Sequence, residues 1–321
     1  MMWACRGRIV KSVGAFAIFV VMILSVTALV LSMRSPGGIG YLAEAAHFVL
    51  RIFVVKPASS AIPRGKKLMT MTRLVVAPLI EKDVSATRPQ RVIDFQVYFL
   101  NHFSSRILFS EIFVDECYYF TSSNPKPFII DGGGNIGMAS LYFKALYPDA
   151  QILIFEPGRH CFDVLRRNME ANNITQVQLI NKALSNKNGE TALFGGDGAM
   201  GASLFAQGGD GGAQGLSCTV ACAKLSDYVT RPVDLLKLDV EGSEHMVLDD
   251  LVASGKLRLI RQMVLEYHHH GGGKREDLLG NFLATLERHN FGYQIKLCNR
   301  GNDLCDAQNL IIHAYNKALL A

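Results

Sequence analysis

FIIDGGGNIG, residues 128–137, is a short apolar run that breaks into three glycines and then opens a helical pattern over Gly137–Leu146. Four apolar or turn-flanked residues, Phe128–Asp131, suit a strand buried on both faces. Outward from it, the same grammar repeats. QILIFE (Gln151–Glu156) reads as a second strand, followed by a helix over His160–Asn172, and Val177–Asn181 as a third strand. LLKLD (Leu235–Asp239) and QMVLEY (Gln262–Tyr267) read as the fourth and fifth, with a helix over Ser243–Val252 between them. A helix over Arg275–His289 and strands at Tyr293–Lys296 and Leu310–His313 close the pattern. Strands alternating with helices predict an α/β, doubly wound, mostly parallel sheet with crossover helices.

Of the 321 residues, 49% are hydrophobic and 19% charged, which excludes a disordered or collagen-like chain. Residues 1–91 hold 13 Lys/Arg against 3 Asp/Glu, whereas residues 92–321 hold 20 against 25. The acidic C-terminal body offers no footprint for nucleic-acid phosphates. The basic excess lies near the N-terminus, where a membrane surface is the expected partner. Seven cysteines form no CxxC pair and no zinc-ligand spacing, so they read as small core hydrophobes, as suits a reducing compartment.

Val13–Met33 is 21 residues without a charge. At 1.5 Å per residue such a helix spans about 31 Å, the thickness of a hydrocarbon core. A signal peptide is the competing reading, but its apolar region is normally about 7–15 residues and an A-x-A cleavage site is lacking. The expected organisation is a basic N-terminus (1–12), a transmembrane helix (13–33), a basic interfacial helix and linker (34–91) and a C-terminal α/β domain (92–321). Within 34–91, residues 41–57 read as the interfacial helix and Pro57–Pro89 as the linker. Arg6, Arg8 and Lys11 lean towards a cytoplasmic N-terminus.

Gly132-Gly133-Gly134-Asn135-Ile136-Gly137 matches G-x-G-x-x-G between a strand and a helix, with Glu156 ending the next strand. Such a loop lets a nucleotide-bearing ligand approach the sheet edge, and Glu156 accepts hydrogen bonds from ribose hydroxyls. A dinucleotide and S-adenosylmethionine (SAM) both fit. Asp131 discriminates: it would repel a pyrophosphate but attract the ammonium group of SAM. An NAD-dependent oxidoreductase is therefore the weaker alternative.

The segments FSEIFVDECYYF (109–120), KPFIIDGGGNIG (126–137), FEPGRHCFDVLRRNMEANN (155–173), LINKALSNKNGE (179–190), VDLLKLDVEGSEHMVLDDL (233–251) and MVLEYH (263–268) together resemble the FkbM family of class I SAM-dependent methyltransferases. The resemblance covers a core of about residues 109–270. It implies a Rossmann-like seven-stranded sheet, SAM as methyl donor, and O-methylation of a hydroxyl on a sugar, a lipid-linked glycan or a natural product. The glycine-rich tract Gly195–Gly215 departs from the pattern and reads as a lid or an insertion.

The expected cofactor site is Asp131, Gly132, Gly134, Asn135, Gly137 and Glu156, with Asn181 and Ala183 at the adenine edge and Asp239 near the amino group. Asp239, Glu241 and His268 are the candidate catalytic residues, placed at strand ends where reacting groups meet in an open α/β sheet. His268 suits a general base because an imidazole titrates near neutrality. The run His268–His270 also invites a metal shared with Asp239. Three adjacent histidines on an extended strand cannot all reach one ion, so no metal is assigned. A non-catalytic, membrane-tethered SAM- or glycan-binding module remains the alternative of a different class.

Overall fold

A computed structural model describes residues 38–80, 88–195, 203–204, 217–269, 278–297 and 308–319. Seven strands form one sheet: β3 (Phe128–Gly132), β4 (Gln151–Phe155), β5 (Val177–Ile180), β9 (Leu235–Leu238), β10 (Gln262–His269), β11 (Phe291–Leu297) and β12 (Gln308–Asn316). Their order is β11-β12-β10-β9-β3-β4-β5, and β12 alone runs antiparallel to its neighbours. The chain leaves β3 in one direction through β4 and β5, then returns to the other side through β9 and β10. Strand order thus reverses at β3 and β9, opening a crevice at their carboxyl ends.

The expected doubly wound sheet is therefore present, and its central strands are buried along their length. Helix α4 (Met138–Leu146) and helix α5 (Arg159–Ala171) cover one face. In α5 the buried residues Cys161, Val164, Leu165, Asn168 and Met169 recur every three or four positions, as an amphipathic helix requires. Helix α6 (Glu244–Ala253) and helix α7 (Leu278–Arg288) cover the opposite face through Val247, Leu248, Leu251, Phe282 and Leu286. Two cores, one on each side of the sheet, result.

The N-terminal boundary drawn from sequence does not hold. Helix α1 (Gly38–Val54) buries Ala45, Phe48, Val49 and Ile52 in the same core as Ile129 and Leu141. The helix expected at 41–57 is present, but this face lies on protein; Leu50 and Val54 remain exposed. The expected linker contains helix α2 (Arg64–Ile80), with Leu68, Met71, Leu74 and Val75 buried. Prolines fall at its edges, Pro63 just before the first turn and Pro78 in the last, so they punctuate the helix rather than forbid it. Lys67 in α2 forms a buried 2.8 Å ion pair with Glu116. Helices α1 and α2 thus belong to the folded body.

Between these helices and β3 lie the hairpin β1 (Gln90–Val92) and β2 (Phe95–Val97), then helix α3 (His102–Phe109) and a π-helical turn, Ser110–Val114. A small second sheet, β6 (Ala183–Ser185), β8 (Ser217–Lys224) and β7 (Gly189–Phe194), flanks the glycine-rich tract. Of the tract itself, only Gly195, Ser203 and Leu204 are among the described residues. Among the described residues no helix is long and apolar enough to cross a membrane, and Val13–Met33 lies outside them.

Candidate active site

The glycine loop bends at Gly133 (φ 78°), Asn135 (φ 47°) and Gly137 (φ 92°), so of the three glycines of the G-x-G-x-x-G reading only Gly137 takes positive φ. Gly133 is the demanding position: a Cβ there would sit 1.8 Å from the backbone oxygen of Asp239. Only a residue without a side chain lets β3 turn so close to the end of β9. Gly132 packs beside Leu184 and Leu238, and Gly134 beside Ile154. The amides of Gly133 and Gly134 both donate to the carbonyl of Phe155, which ties the loop to the tip of β4.

Glu156 stands where the sequence places it, at the end of β4. Its Oε2 accepts from the Asn135 amide at 2.7 Å and its Oε1 from the Gly158 amide at 2.8 Å. Burial pushes its carboxyl up to about 7, the two amides and Lys237 offsetting only part of the cost. A cavity runs along this carboxylate, walled by Gly133, Asn135, Glu156, Lys182, Ala183 and Leu204. Asn181 plays a different part from the one expected. Its amide donates to the carbonyls of Glu156 and Pro157, at 2.8 and 3.0 Å, and so fixes the turn after β4.

Asp131 also departs from expectation. It is fully buried beneath the loop and lines neither this cavity nor the next. Its Oδ1 pairs with Lys237 Nζ at 3.1 Å, and its Oδ2 accepts from Ser140 Oγ at 2.7 Å. Lys237 Nζ also donates to the carbonyls of Gly132 and Gly133, at 3.3 and 2.6 Å. Burial pulls the Lys237 ammonium down, but Asp131 and Asp239 outweigh it and hold it above its ordinary value. Asp131, expected to attract a ligand's ammonium group directly or through water, is instead held in an internal ion pair that shapes the loop.

A second cavity opens on the other side of the loop. Its walls include Glu111, Tyr118, Asp239, Glu241, Glu266 and His268. Tyr118 Oη donates to Asp239 Oδ2 at 3.0 Å, and Ser203 Oγ donates to the Glu241 carbonyl at 2.6 Å. His268 Nε2 lies 3.1 Å from Glu241 Oε2, and Nδ1 lies 2.9 Å from Glu244 Oε1. Burial disfavours the charged ring, but the Glu244 and Glu241 carboxylates prevail and hold His268 well above its ordinary value. That shift favours the protonated ring, so the two carboxylates work against the base role expected of His268. His270 lies outside the described residues.

Glu111 lines the same cavity. It sits in the π-helical turn, and burial, then Asp239 and Asp115, push its carboxyl up to about 7. Sequence reasoning missed Glu111, Tyr118, Lys237 and Glu244. A lone lysine inside LLKLD was a legible sign of a buried pair; Glu111 and Tyr118 carried no local signal beyond the FSEIFVDECYYF segment. Asp239 and Glu241 are brought together with His268, and the two carboxylates border both cavities.

A family model described as the methyltransferase FkbM domain matches residues 131–295. The chain is 33% identical over 202 residues to methyltransferase sdnD of Sordaria araneosa, covering 53% of this chain and 77% of that protein. It is 35% identical over 161 residues to methyltransferase 1 of Beauveria bassiana, covering 44% of this chain and 65% of that protein. Among solved structures, a methyltransferase FkbM from Methylobacillus flagellatus is similar at 12% identity and a TM-score of 0.43, over 87% of this chain and 60% of that one.

Proposed function

The chain belongs to the FkbM methyltransferase family, whose methyl donor is SAM, and we propose that it methylates a hydroxyl group of a sugar, a lipid-linked glycan or a natural product. The observation that carries this reading is that Gly133, Asn135, Asp239 and Glu241 border both cavities. One cavity can hold a donor and the other an acceptor, with their reacting atoms meeting across those four residues.

The residues of the first cavity fit SAM. Glu156 has both oxygens fixed by backbone amides and keeps lone pairs for two ribose hydroxyls. Lys182 and Ala183 border the side where the adenine belongs, and the loop at Gly133–Asn135 offers backbone to the amino-acid tail. When bound, SAM supplies an electrophilic methyl group. On the acceptor side, Glu111 takes the hydroxyl proton, since a carboxyl near 7 is matched to that task. Asp239 and Glu241 orient the acceptor, and His268, 3.1 Å from Glu241 Oε2, fixes that carboxylate in place.

Val13–Met33 anchors the enzyme in a membrane in this proposal, with the catalytic domain facing the cytosol, where SAM is made. Protease protection in sealed vesicles tests that orientation. The function is tested with methyl-labelled SAM and lipid, glycan and small-molecule extracts, reading products by mass spectrometry. A hydroxyl compound gaining one methyl group is the expected product. Glu111→Gln is expected to lower kcat by about 10²–10⁴ while SAM affinity stays within about twofold. SAM binding without any methylated product would leave a binding module instead.

A further inference from the structure

We infer that Asp239, Glu241 and His268 form a binding site for one divalent cation of the Mn²⁺ or Mg²⁺ class, set in the acceptor cavity. One donor atom from each of the three lies within 4.8 Å of the others. His268 Nε2 is 3.1 Å from Glu241 Oε2 and 3.9 Å from Asp239 Oδ1. Ligands about 2.1 Å from a common ion, at roughly right-angled to tetrahedral openings, stand about 3–3.5 Å apart. His268 and Glu241 already have that spacing, and side-chain adjustment would bring in Asp239, now 3.9 Å from His268 Nε2.

The support behind the histidine points the same way. Glu244 is buried, accepts from the Gly242 amide at 3.0 Å, and faces His268 Nδ1 at 2.9 Å. A carboxylate on one ring nitrogen orients the other towards a metal, an arrangement typical of metal-ligating histidines. The charge of the cavity agrees. Glu266 Oε1 lies 4.0 Å from His268 Nε2, and Glu111 lines the same walls. Among the described residues Lys237 is the ammonium beside the site; it pairs with Asp131 at 3.1 Å and stands farther, 3.7 Å, from Asp239 Oδ2. Carboxylates thus outnumber cations around the imidazole, and a divalent ion would take the place of its second proton.

Two carboxylates and one imidazole are an oxygen-rich set suited to Mg²⁺ or Mn²⁺ rather than to a thiophilic metal. Three protein ligands leave positions open for the acceptor's oxygen atoms. That role for the ion rests on the methyltransferase reading above, whereas cation binding itself does not. The sequence obstacle to a metal, three histidines on one strand, disappears because a single histidine joins two carboxylates from the β9–α6 loop.

The test uses the full chain, freed of metal by a chelator and titrated with MnCl₂, with free ion followed by electron paramagnetic resonance. One bound Mn²⁺ per chain is expected, displaced by Mg²⁺. Glu241→Gln and His268→Ala are expected to weaken binding at least about tenfold, and Glu244→Gln about 10–100-fold. Asp163→Asn, at an exposed ion pair with Arg159, keeps the wild-type affinity. Glu241→Gln is isosteric and keeps the test sound if His268→Ala fails to fold. SAM binding is measured separately by calorimetry on the metal-free protein, so failure of the donor reading is seen independently. Absence of stoichiometric Mn²⁺ on the wild type, or wild-type affinity in Glu241→Gln, overturns the site.

Discussion

The two walls of the crevice are built by different means. On the donor side, backbone does the holding: Glu156 is fixed by the amides of Asn135 and Gly158, and the loop by amides on Phe155. These backbone contacts come from one stretch of about thirty residues, 128–158, braced from outside by Asn181 and Lys237. On the acceptor side, side chains from separate stretches hold one another: Tyr118 on Asp239, His268 between Glu241 and Glu244. Backbone geometry leaves a periodic trace in sequence. A charge cluster assembled from distant segments leaves only the residue types.

The two walls are joined beneath the loop by Lys237 and Asp131, and breaking that joint should have the largest effect. Lys237→Ala leaves the Asp131 carboxylate fully buried with only Ser140 Oγ as partner. Removing one partner of a buried pair costs about 3–5 kcal/mol, so chemical denaturation should show a loss of that order. Asp131→Asn should cost less, because Lys237 keeps the Gly132 and Gly133 carbonyls and has Asp239 at 3.7 Å. Equal costs for the two variants would mean that the carbonyls contribute nothing.

This asymmetry explains what could be read beforehand. FIIDGGGNIG gave strand, loop and helix because burial on both faces, positive φ and close approach each demand a residue type at a fixed position. Glu156 was found by the same logic, from its place at the tip of the next strand. The job of Asp131 was misassigned because sequence shows a carboxylate beside glycines but not the lysine 106 positions later that neutralises it. His268 was given a base's role from its intrinsic titration, without sight of the Glu241 and Glu244 carboxylates that raise it in the fold. Helix α2 was hidden by composition. Its Lys, Thr and Pro content resembles a linker, while Leu68, Met71, Leu74 and Val75 keep a helical period that faces the core.

A middle-sized effect sharpens the contrast from the donor side. Glu156→Gln loses the charge on hydrogen bonds worth about 1.5–3 kcal/mol each, so SAM affinity should fall by about one to two decades. The carboxyl is raised to about 7 in the folded chain, so the folded state binds its proton more tightly than the unfolded state. Stability from this group is therefore present at low pH and is lost as pH rises from about 4.5 to about 7. SAM affinity should move oppositely, since ribose hydroxyls donate to the ionised form. Calorimetry at pH 6 should give affinity about tenfold below that at pH 8, and a flat profile in Glu156→Gln.

The smallest expected effect probes the acceptor wall without disturbing its charges. Tyr118 is buried, its hydroxyl donates to Asp239 at 3.0 Å, and its ring lies 5.2 Å from Lys237 Nζ. Tyr118→Phe keeps the ring, so packing and the cation–π contact survive and the fold should be nearly as stable. Only one hydrogen bond to a carboxylate is removed. Asp239 then keeps its charge but loses the group that aims it, at a cost of about 1–2 kcal/mol in acceptor positioning. Kinetics should show kcat/KM for the acceptor falling about 5–30-fold, with SAM affinity unchanged. If SAM affinity fell by the same factor, Asp239 would belong to the donor wall, and the division between backbone-held and side-chain-held halves would fail at the residue where they meet.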